Sequence, residues 1–485
     1  MRAQTGIVVV GAGPAGINAA IAAAESGAKV TLIDGYPRTG GQYYKQMPDE
    51  FRTAAPREAQ GVEALFGRYR RPEITLLPNT RIWNINESLL LNLQGPGAPP
   101  LLQAQAVILA TGAYDRPAAF PGWTLPGVMS LGAAQSMLKS QRILPGRKIL
   151  IVGSGPLLLA LGAALRQAQG VEVVAVLEGS KELTRFKPER IAALWGQWTR
   201  LREGIDYVQT LRRAGVPYRL GWGIVRALGE ESVEGAIVAK LDHDWRPIPG
   251  SEQTLACDTI CIGYGFVPET ALGRLAGADH SFQPALGGWV PGRDEFMQTT
   301  LPGLYSVGDG AGIGGAAQAA VEGRIAGMAA AFRIDINGRT DSSLAQLVAP
   351  ELSVLRRERR FQRLYGELFS PGPGLDELAD GETIICRCEA IRLAEVRDAV
   401  NMGADTLGAV KGLTRAGMGE CQGRICGPLL AGQVARLCGK ERQAAGSFSP
   451  RPPVQPLTIG ELAGPSTDSA NSLRASSGSK RDGHF

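Results

Sequence analysis

The chain has 485 residues, of which 64 are glycine, 44% are hydrophobic and 20% are charged. This length and composition are typical of a tightly wound α/β protein of about three domains. The net charge of +5 is spread without a long block of Lys or Arg, and no apolar run approaches the roughly 18 residues of a membrane span. Neither nucleic-acid binding nor a transmembrane segment is therefore expected.

The first predicted unit is a strand, a glycine turn, a helix and a second strand at the start of the chain. The strand "GIVVV" leads into "GAGPAG", an alanine-rich helix follows, and the second strand "KVTLID" ends at Asp34. In such a unit the glycines permit a tight turn, approach of a pyrophosphate to the backbone and close helix packing, while the acid accepts hydrogen bonds from a ribose. The unit predicts a dinucleotide-binding domain with the site residues Gly11, Gly13, Pro14, Ala15, Gly16 and Asp34.

Two further motifs resemble fingerprints of flavoproteins that have two dinucleotide domains. The strand Ala106 to Leu109 ends in "ATG", and the strand before Gly308 and Asp309 leads into a helix of small residues. The resemblance implies that the first nucleotide is FAD, that the aspartate holds its ribityl–pyrophosphate region, and that "RTGGQYY" lies near the flavin ring. The further FAD contacts that it implies are Gly41, Gln42, Ile82, Ala110, Thr111, Gly112, Gly308, Asp309 and Gln318.

A second glycine turn, "GSGPLLL", follows the strand "KILIV" and indicates a second nucleotide domain. Gly153 and Gly155 match the pattern, Leu158 stands at the third glycine position, and the next strand ends at Glu178. An acid at that place favours NAD over NADP, whereas the bulky leucines favour a closed pocket. Two interpretations stay open: a site for a NAD-like nucleotide or ATP, and a vestigial domain with a structural role. The segment "CDTICIGYGFVPE" is expected to return the chain to the first domain.

The segment from about residue 339 to 380 changes character. The stretch "ELSVLRRERRFQRLYGELF" has apolar residues near helical spacing with arginines between them, and "SPGPG" follows as a break. This pattern favours a solvated amphipathic connector helix, with an anion site as the alternative.

Four of the seven cysteines lie in two short stretches near the C-terminal end of the chain. Cys386 and Cys388 are separated by one residue, and Cys421 and Cys426 by four. Such pairs on loops suit a metal centre, because soft sulfur ligands must converge within a few ångströms. Zinc accepts four cysteines, but Cys-x-Cys is unusual in a zinc ribbon. The pattern is similar to the small helical module of bacterioferritin-associated ferredoxin (BFD), and this resemblance implies that the four cysteines hold a [2Fe-2S] cluster, with zinc or free thiols as alternatives.

The other cysteines limit the chemistry of the chain. Cys257, Cys261 and Cys438 fall in apolar surroundings and are expected to be core thiols. The uneven placement argues against a secreted disulfide framework and for a reducing compartment. No cysteine pair lies beside "GGQYY" or within 120–250, which excludes the thiol chemistry of disulfide reductases built on this fold. With only three histidines, histidine-based hydrolysis is not expected either.

From residue 6 to about 461 the chain resembles the FAD/[2Fe-2S] subunit of heteromeric bacterial dehydrogenases, such as those of opines and D-hydroxyproline and the hydrogen cyanide synthases. The shared motifs are "GAGPAG", "GGQYY", "ATGAYDRP", "GSGPLLL", "VGDGAGIGGA", "CRCE", "GMGECQGRICG" and "RPPVQPLTIGELA". The implied fold is α/β: a two-dinucleotide-binding-domain flavoprotein, with glutathione-reductase-like FAD and NAD-like Rossmann domains, and a small helical C-terminal [2Fe-2S] domain of the BFD type. The expected parts are an FAD domain (1–118 and 255–338), a second nucleotide domain (119–254), a connector helix (339–380), a BFD-like domain (381–442), an extended Pro-rich arm (443–462) and a disordered tail (463–485).

The resemblance also implies a division of labour between subunits. A separate subunit similar to D-amino-acid oxidases would oxidise the amine, a small ferredoxin-like subunit would complete the complex, and this chain would relay electrons between flavin and cluster. The expected location is the cytoplasm or, by peripheral association, the inner face of the membrane. The alternative is a self-sufficient NAD(P)H-dependent ferredoxin-type reductase that uses Gly153, Gly155 and Glu178. A third interpretation is a scaffold whose nucleotides only stabilise an assembly. No residue is assigned to catalysis.

Overall fold

The computed structural model describes residues 2–47, 65–182, 189–334 and 341–463. The predicted disordered tail lies, from residue 464 onward, outside these residues. None of the described helices is long and apolar enough to cross a membrane.

The first sheet begins with elements that follow each other in the chain: β1 (Arg2–Val10), α1 (Pro14–Glu25), β2 (Val30–Ile33), β3 (Ile74–Leu77), β4 (Arg81–Ile85), β5 (Leu90–Gln94) and β6 (Leu101–Leu109). The strand order is β3-β2-β1-β6-β5-β4, and Leu304–Ser306 pairs with β6 as a seventh strand. Strands β1, β2, β3 and β6 pair in parallel, whereas β5 is antiparallel to both β4 and β6. The carboxyl ends of β1, β2 and β6 therefore meet at one edge, the place where open α/β sheets bind ligands.

The next segment contains the second sheet together with strands of smaller sheets. Its elements are β7 (Ala113–Asp115), β8 (Val128–Ser130), α2 (Leu131–Ser136), a π-helical turn (Met137–Gln141), β9 (Lys148–Gly153), α3 (Pro156–Gln167), β10 (Glu172–Glu178), α4 (Glu189–Leu194), α5 (Trp198–Arg213), β11 (Tyr218–Leu220), β12 (Trp222–Leu228), β13 (Gly235–Lys240), β14 (Gln253–Ala256) and β15 (Thr259–Gly263). Strands β11-β10-β9-β15-β8 pair in parallel. Strands β12-β13-β14 form an antiparallel sheet of their own.

The sequence predicts that the chain returns to the first domain at residue 255, which would place strand β15 in that domain. In the structure, β15 lies inside the second sheet instead, between β9 and β8. All five of its residues are buried, as in parallel sheets that are covered on both faces, and an apolar run of this kind suits either sheet equally. The chain returns only after Gly263, where β16 (Phe266–Pro268) pairs with β7.

The chain then completes the first sheet with α6 (Ala271–Leu275), β17 (His280–Gln283), a 3-10 turn (Pro284–Leu286), β18 (Gly288–Pro291), β19 (Leu304–Ser306), a second 3-10 turn (Gly308–Ala311) and α7 (Gly315–Ile334). Helices α1 and α7 pack at short range because glycines of α7 face the backbone of α1. A Cβ at Gly323 would lie 2.1 Å from the Ala15 oxygen, and one at Gly327 would lie 2.3 Å from the Ala19 oxygen. The close packing keeps both helices on one face of the sheet.

The predicted connector helix is α8 (Asp341–Phe369), which ends before "SPGPG". It is packed rather than solvated. Leu344 and Leu355 belong to the core of the first sheet, and Glu358 pairs at 2.8 Å with Arg200 of α5 in the second unit. The helix thus contacts both nucleotide-domain units.

The C-terminal module consists of α9 (Gly374–Glu377), β20 (Ile384–Cys386), β21 (Ile391–Arg392), α10 (Leu393–Asn401), α11 (Leu407–Thr414), α12 (Cys426–Leu437), α13 (Arg442–Ala445) and α14 (Ile459–Ala463). It shares a hydrophobic core with the second unit, in which Leu393 and Val434 join Phe120. The Trp123 Nε1 atom also donates a hydrogen bond to the Ile384 oxygen at 2.7 Å. The module is therefore packed directly onto the flavoprotein body.

The Pro-rich arm lies along β4, an edge strand of the first sheet. The Val454 nitrogen donates to the Trp83 oxygen at 3.0 Å. Arg81 of β4 donates to the Pro456 oxygen at 3.1 Å and pairs with Glu461 at 2.7 Å. The arm therefore covers an edge of its own chain's sheet, a common way of protecting exposed strands.

Candidate flavin and iron–sulfur sites

The first glycine turn, between β1 and α1, has no room for side chains at two of its three glycines. A Cβ at Gly11 would lie 2.3 Å from the Ala110 oxygen, and one at Gly16 would lie 1.7 Å from the Gly11 oxygen. Gly11 also has a φ of +99°, a conformation that favours glycine. Close packing of β1, β6 and α1 therefore requires glycine at both positions.

Gly13 faces open space instead. Among the described residues, only the Gly41 Cα, at 3.8 Å, comes within 4 Å of a Cβ placed there. Pro14 and Ala15 begin α1 at this point, and a helix N-terminus presents unpaired backbone N–H groups to the space before it. The open face suits a pyrophosphate, which is the part of FAD expected here.

Asp34 and Asp309 are both held by backbone N–H groups. Asp34, directly after β2, accepts two such hydrogen bonds at 2.5 and 2.8 Å. One oxygen of Asp309 accepts from the nitrogens of Gly314 and Gly315, both at 2.9 Å. Burial raises the pKa of each carboxyl group. The second oxygen of Asp309 has no hydrogen-bond partner in the described part of the chain and can accept from a ligand hydroxyl.

Gln318, in the first turn of α7, has an orphaned buried atom. The residue is 4% exposed, and its Nε2 donates to Glu322 at 3.1 Å. Its Oε1 has no partner among the described residues, although buried amide oxygens are normally hydrogen-bonded. The orphaned oxygen, the open face at Gly13 and the free Asp309 oxygen together fit the hydroxyl-rich ribityl and pyrophosphate parts of FAD.

Glu322 is a buried charge that no sequence pattern revealed. It is fully buried, and it accepts hydrogen bonds from Arg293 at 2.8 and 3.0 Å and from the Gly308 nitrogen at 3.0 Å. Burial alone would raise the pKa of Glu322, but the charges of Arg293 and Arg359 outweigh burial and hold the pKa below its usual value. The pair fixes the loop that carries Asp309. In the sequence, the only sign of this buried charge is that Glu322 is an acidic residue within a helix of small residues.

The other residues expected at the flavin differ in how exposed they are and in whether they adjoin the first glycine turn. Residues 110–112 follow β6 directly and adjoin the first glycine turn, where the Thr111 Oγ1 donates to the Glu269 oxygen at 2.6 Å. Gln42 is exposed. Ile82 is 4% exposed, as a core side chain of β4. The structure therefore brings residues 110–112 to the turn, while the Ile82 side chain belongs to the core.

The second glycine turn, between β9 and α3, brings Gly153, Gly155 and Glu178 together. The Gly155 nitrogen donates to Glu178 at 2.8 Å, and burial raises the pKa of that carboxyl to about 7. The surroundings of the turn differ from those of the first. A Cβ at Gly155 would lie 2.6 Å from the Tyr365 hydroxyl oxygen, so this glycine faces protein.

The end of the connector helix covers this second turn. Tyr365 lies over Gly155, and the Leu368 oxygen accepts a hydrogen bond from the Ser180 hydroxyl, just beyond β10. Leu158, at the third glycine position, is fully buried. A dinucleotide pyrophosphate needs the space over the glycine turn, which the Tyr365 hydroxyl fills. The observation favours the vestigial interpretation.

The four clustered cysteines come together from two loops. Cys386 and Cys426 are buried, Cys421 is half-buried and Cys388 is exposed. The thiols of Cys388 and Cys421, of Cys421 and Cys426, and of Cys426 and Cys386 lie close enough to shift each other's pKa. No three described His, Cys, Asp or Glu side chains form a ligand set for a single metal ion. A [2Fe-2S] cluster has two irons and takes four protein ligands. The two pairs that join the loops, Cys386 with Cys426 and Cys388 with Cys421, supply four sulfurs that fit such a cluster.

The lowered pKa of Cys421 distinguishes this thiol from the core cysteines Cys257 and Cys261, whose pKa values are raised. Hydrogen bonds from Cys426 and from backbone N–H groups of the same loop lower the pKa of Cys421 to about 4, and the thiolate is the form that binds metal. Burial raises the pKa of Cys257 to about 11 and of Cys261 to about 12. These two are core thiols, as expected, whereas Cys438 is half-buried.

The loop between Cys421 and Cys426 reaches the flavin motifs through Arg424. Its Nε donates to the Glu269 carboxylate at 2.6 Å, and its Nη2 donates to the Val454 oxygen at 2.8 Å. Glu269 in turn accepts from Thr111 through its backbone oxygen. Three residues thus form a continuous contact from the "ATG" motif to the thiol loop, which sequence reasoning missed. In the sequence, the only signs of this contact are the lone arginine in "CQGRIC" and the lone glutamate in "GFVPE".

Comparison with protein families matches two parts of the chain. Residues 5–323 match the family described as pyridine nucleotide-disulphide oxidoreductase, and residues 384–434 match the BFD-like [2Fe-2S] binding domain. The first family implies FAD and the second a [2Fe-2S] cluster, so these two cofactors, expected from sequence, are confirmed.

Relatives match over nearly the whole chain. Hydrogen cyanide synthase subunit HcnB from Pseudomonas protegens is 32% identical, over 93% of this chain and 96% of that protein. The A-type subunit of opine oxidase from Rhizobium meliloti is 33% identical, over 94% of this chain and 98% of that protein. The alpha subunit of sarcosine oxidase from Corynebacterium sp. is 26% identical over 96% of this chain, but the match spans 46% of that longer protein.

Solved structures agree on the fold. L-proline dehydrogenase from P. horikoshii superimposes with a TM-score of 0.67 at 21% identity, over 95% of this chain and 80% of that one. Thioredoxin reductase from T. acidophilum gives 0.50 at 18% identity, over 68% and 97%. The chain therefore belongs to the pyridine nucleotide-disulphide oxidoreductase family, as an FAD- and [2Fe-2S]-type relative of hydrogen cyanide synthase subunit HcnB and of the A-type subunit of opine oxidase.

Proposed function

We propose that this chain is the electron-relay subunit of a heteromeric FAD-dependent dehydrogenase that acts on an amino acid, an imino acid or an opine. The observation that carries the proposal is the contact between the two cofactor sites, in which Arg424 of the thiol loop pairs with Glu269, and Glu269 accepts from Thr111 of the flavin motif. FAD takes up electrons in pairs and a [2Fe-2S] cluster passes them singly. A chain that holds both sites in contact is suited to convert one kind of transfer into the other.

The residues proposed to hold the cofactors are those that the structure brings together. The thiols of Cys386, Cys388, Cys421 and Cys426 would hold the cluster. The first glycine turn would receive the pyrophosphate of FAD, with Asp34 at its ribose, and the loop of Asp309 and Gln318 would hold the ribityl chain.

We place oxidation of the amine on a partner subunit that resembles D-amino-acid oxidases, and the third component would be a small ferredoxin-like subunit. Two of the relatives, those from opine oxidase and sarcosine oxidase, are by their names single subunits of these oxidases. The proposed location is the cytoplasm or the inner face of the membrane.

The proposal is tested with the FAD- and cluster-loaded chain, with and without its partner subunits. Reduction of an artificial dye by an opine, D-hydroxyproline or glycine should be absent with the isolated chain and should appear when the partner is added. Turnover of such a substrate by the isolated chain would refute the relay function.

The alternative, a self-sufficient NAD(P)H-dependent reductase, rests on the geometry that Gly153, Gly155 and Glu178 retain. It is less well supported, because Tyr365 fills the space over Gly155. Anaerobic addition of NADH to the isolated chain distinguishes the two. The relay function predicts an unchanged flavin spectrum, and rapid bleaching would favour the reductase.

A further inference from the structure

A large cavity lies where the flavoprotein body, the connector helix and the iron–sulfur module meet. Its volume is about 1210 Å³, and its walls include residues 264–271, residues 365–376 and residues 422–454 in part. The described residues that line it include neither the glycines of the two nucleotide turns nor the four clustered cysteines. The cavity therefore lies beside the sites assigned above, with Glu269 and Arg424 of the contact between them in its wall.

The charges that line this cavity are unbalanced. Among the described residues, seven Lys or Arg but three Asp or Glu side chains line it. Two of the three acids are already occupied, since Glu269 pairs with Arg424 at 2.6 Å and Asp376 pairs with Arg442. The third, Glu441, is exposed to solvent. Positive charge therefore exceeds negative charge in a space that is partly shielded from water.

Two arginines in the wall have no acidic partner among the residues that the structure describes. Arg116 donates to the Gly287 oxygen at 3.0 Å and makes no ion pair with any described residue. Within the described chain, the Arg274 guanidinium has no hydrogen-bond partner. Burial lowers the pKa of both groups, and burial together with the nearby charge of Arg116 lowers the pKa of Arg442 to about 10. Like charges gathered in a sheltered space are costly unless a counter-charge joins them.

We propose that this cavity binds a small organic oxyanion with at least two negative charges, which Arg116 and Arg274 hold. Guanidinium groups match carboxylate and phosphate oxygens with paired hydrogen bonds. Aromatic side chains in the same wall, the edge-to-face pair Phe282 and Trp289, offer apolar contact for the body of the ligand. With about 1210 Å³, the cavity is somewhat larger than the roughly 300–1,000 Å³ usual for small-molecule sites. The site is independent of the proposed relay function.

The test uses the full chain loaded with FAD and cluster, at physiological ionic strength. Titration calorimetry with inorganic pyrophosphate and, separately, with citrate asks whether phosphate or carboxylate oxygens are bound. We expect saturable binding of at least one probe. Arg274→Gln should weaken it about tenfold or more, since one charge-assisted pair is lost. Because the Arg274 guanidinium makes no hydrogen bond within the described chain, this variant should fold normally, and Arg116→Gln should weaken binding as well.

A matched control is Arg451→Gln, which removes the same charge at the exposed rim of the cavity. It should leave the affinity within about twofold, because an exposed charge contributes little. Equal weakening by the Arg451 and Arg274 substitutions would mean general attraction and would overturn the site. Failure of both probes to bind the loaded protein, or binding only to flavin-free protein, would overturn it too.

Discussion

At the residue scale, buried carboxylates explain how the flavin loops keep their shape. Asp34 and Asp309 each accept two backbone N–H groups, and Glu322 accepts a further loop N–H from Gly308 while pairing with Arg293. Loop N–H groups that are buried and unpaired would be costly. The carboxylates therefore organise the turns around the space that the cofactor needs.

Gly13→Val should yield folded protein without flavin. The new side chain points into open space, with only Gly41 within 4 Å among the described residues, so the fold tolerates it, but it occupies the place of the pyrophosphate. Flavin content per chain, measured by absorbance after purification, checks this. Gly204→Val, on a helix with no described atom within 4 Å, is the control and should keep its flavin. Full flavin in the Gly13 variant would show that this turn does not bind FAD.

Serine at any of the four clustered cysteines should lower cluster occupancy, because a hydroxyl replaces a thiolate ligand. The wild-type protein should contain about two irons and two acid-labile sulfides per chain, measured chemically and by visible absorbance. Cys438→Ser is the control and should keep the full content. Stoichiometric zinc without sulfide in the wild type would contradict the assignment.

Glu322→Gln should destabilise the fold by about 3 kcal/mol at pH 7, because Arg293 is left buried without a counter-charge. A carboxyl whose pKa is lowered on folding stabilises the protein above its unfolded pKa, about 4.3, and loses this contribution as the pH falls through the lower folded value. Urea unfolding at several pH values should therefore show the difference between wild type and variant shrinking at acid pH.

The control for that series is Glu382→Gln, which breaks an exposed pair with Arg392. Its cost should stay below about 1 kcal/mol. Equal destabilisation by the two substitutions would mean that the buried pair has no special role.

At the element scale, the connector helix determines what the second nucleotide domain can do. Its first half packs in the core of the first sheet through Leu344 and Leu355, and its last turns place Tyr365 and Leu368 over the second glycine turn. One helix thus joins the two units and covers the second glycine turn. The second Rossmann unit is left as a platform on which the iron–sulfur module packs.

Tyr365→Ala should open this site. Wild-type protein should show no binding of NADH by fluorescence titration, whereas the variant should show weak binding, since the hydroxyl no longer fills the space over Gly155. Phe361→Ala, on the same helix but stacked on Arg200 at 4.7 Å, is the control and should not bind. Equal NADH binding by wild type and the Tyr365 variant would show that the helix does not close the site.

Local patterns explain which of these features can be predicted from sequence. The first Rossmann unit, the second glycine turn and the cysteine pairs each depend on residues close together in the chain, so spacing and residue type predict them. The covering of Gly155 by Tyr365 and the pairing of Arg424 with Glu269 join residues far apart in the chain, and no local pattern encodes them. The predicted boundary at residue 255 places strand β15 in the wrong sheet, because a short apolar run fits either sheet.

At the scale of the whole molecule, the three modules are held by contacts that converge on the thiol loop. The module shares a core with the second unit, Arg424 pairs with Glu269 of the returning segment, and the arm lies against both the loop and β4. The relay proposed above would need a fixed geometry between its two carriers. The arm is the part of this arrangement that can be removed without cutting a sheet.

Truncation after Ser449 should leave FAD content unchanged but loosen the cluster. The arm supplies the Val454 and Pro453 oxygens that accept from Arg424 at 2.8 Å and Gln422 at 2.7 Å, so its loss leaves two side chains of the thiol loop without these partners. The cluster should then lose its visible absorbance several-fold faster in the presence of an iron chelator. Truncation after Ala463 keeps these contacts and should behave as wild type. Equal rates of loss in the two truncated proteins would show that the arm does not stabilise the thiol loop.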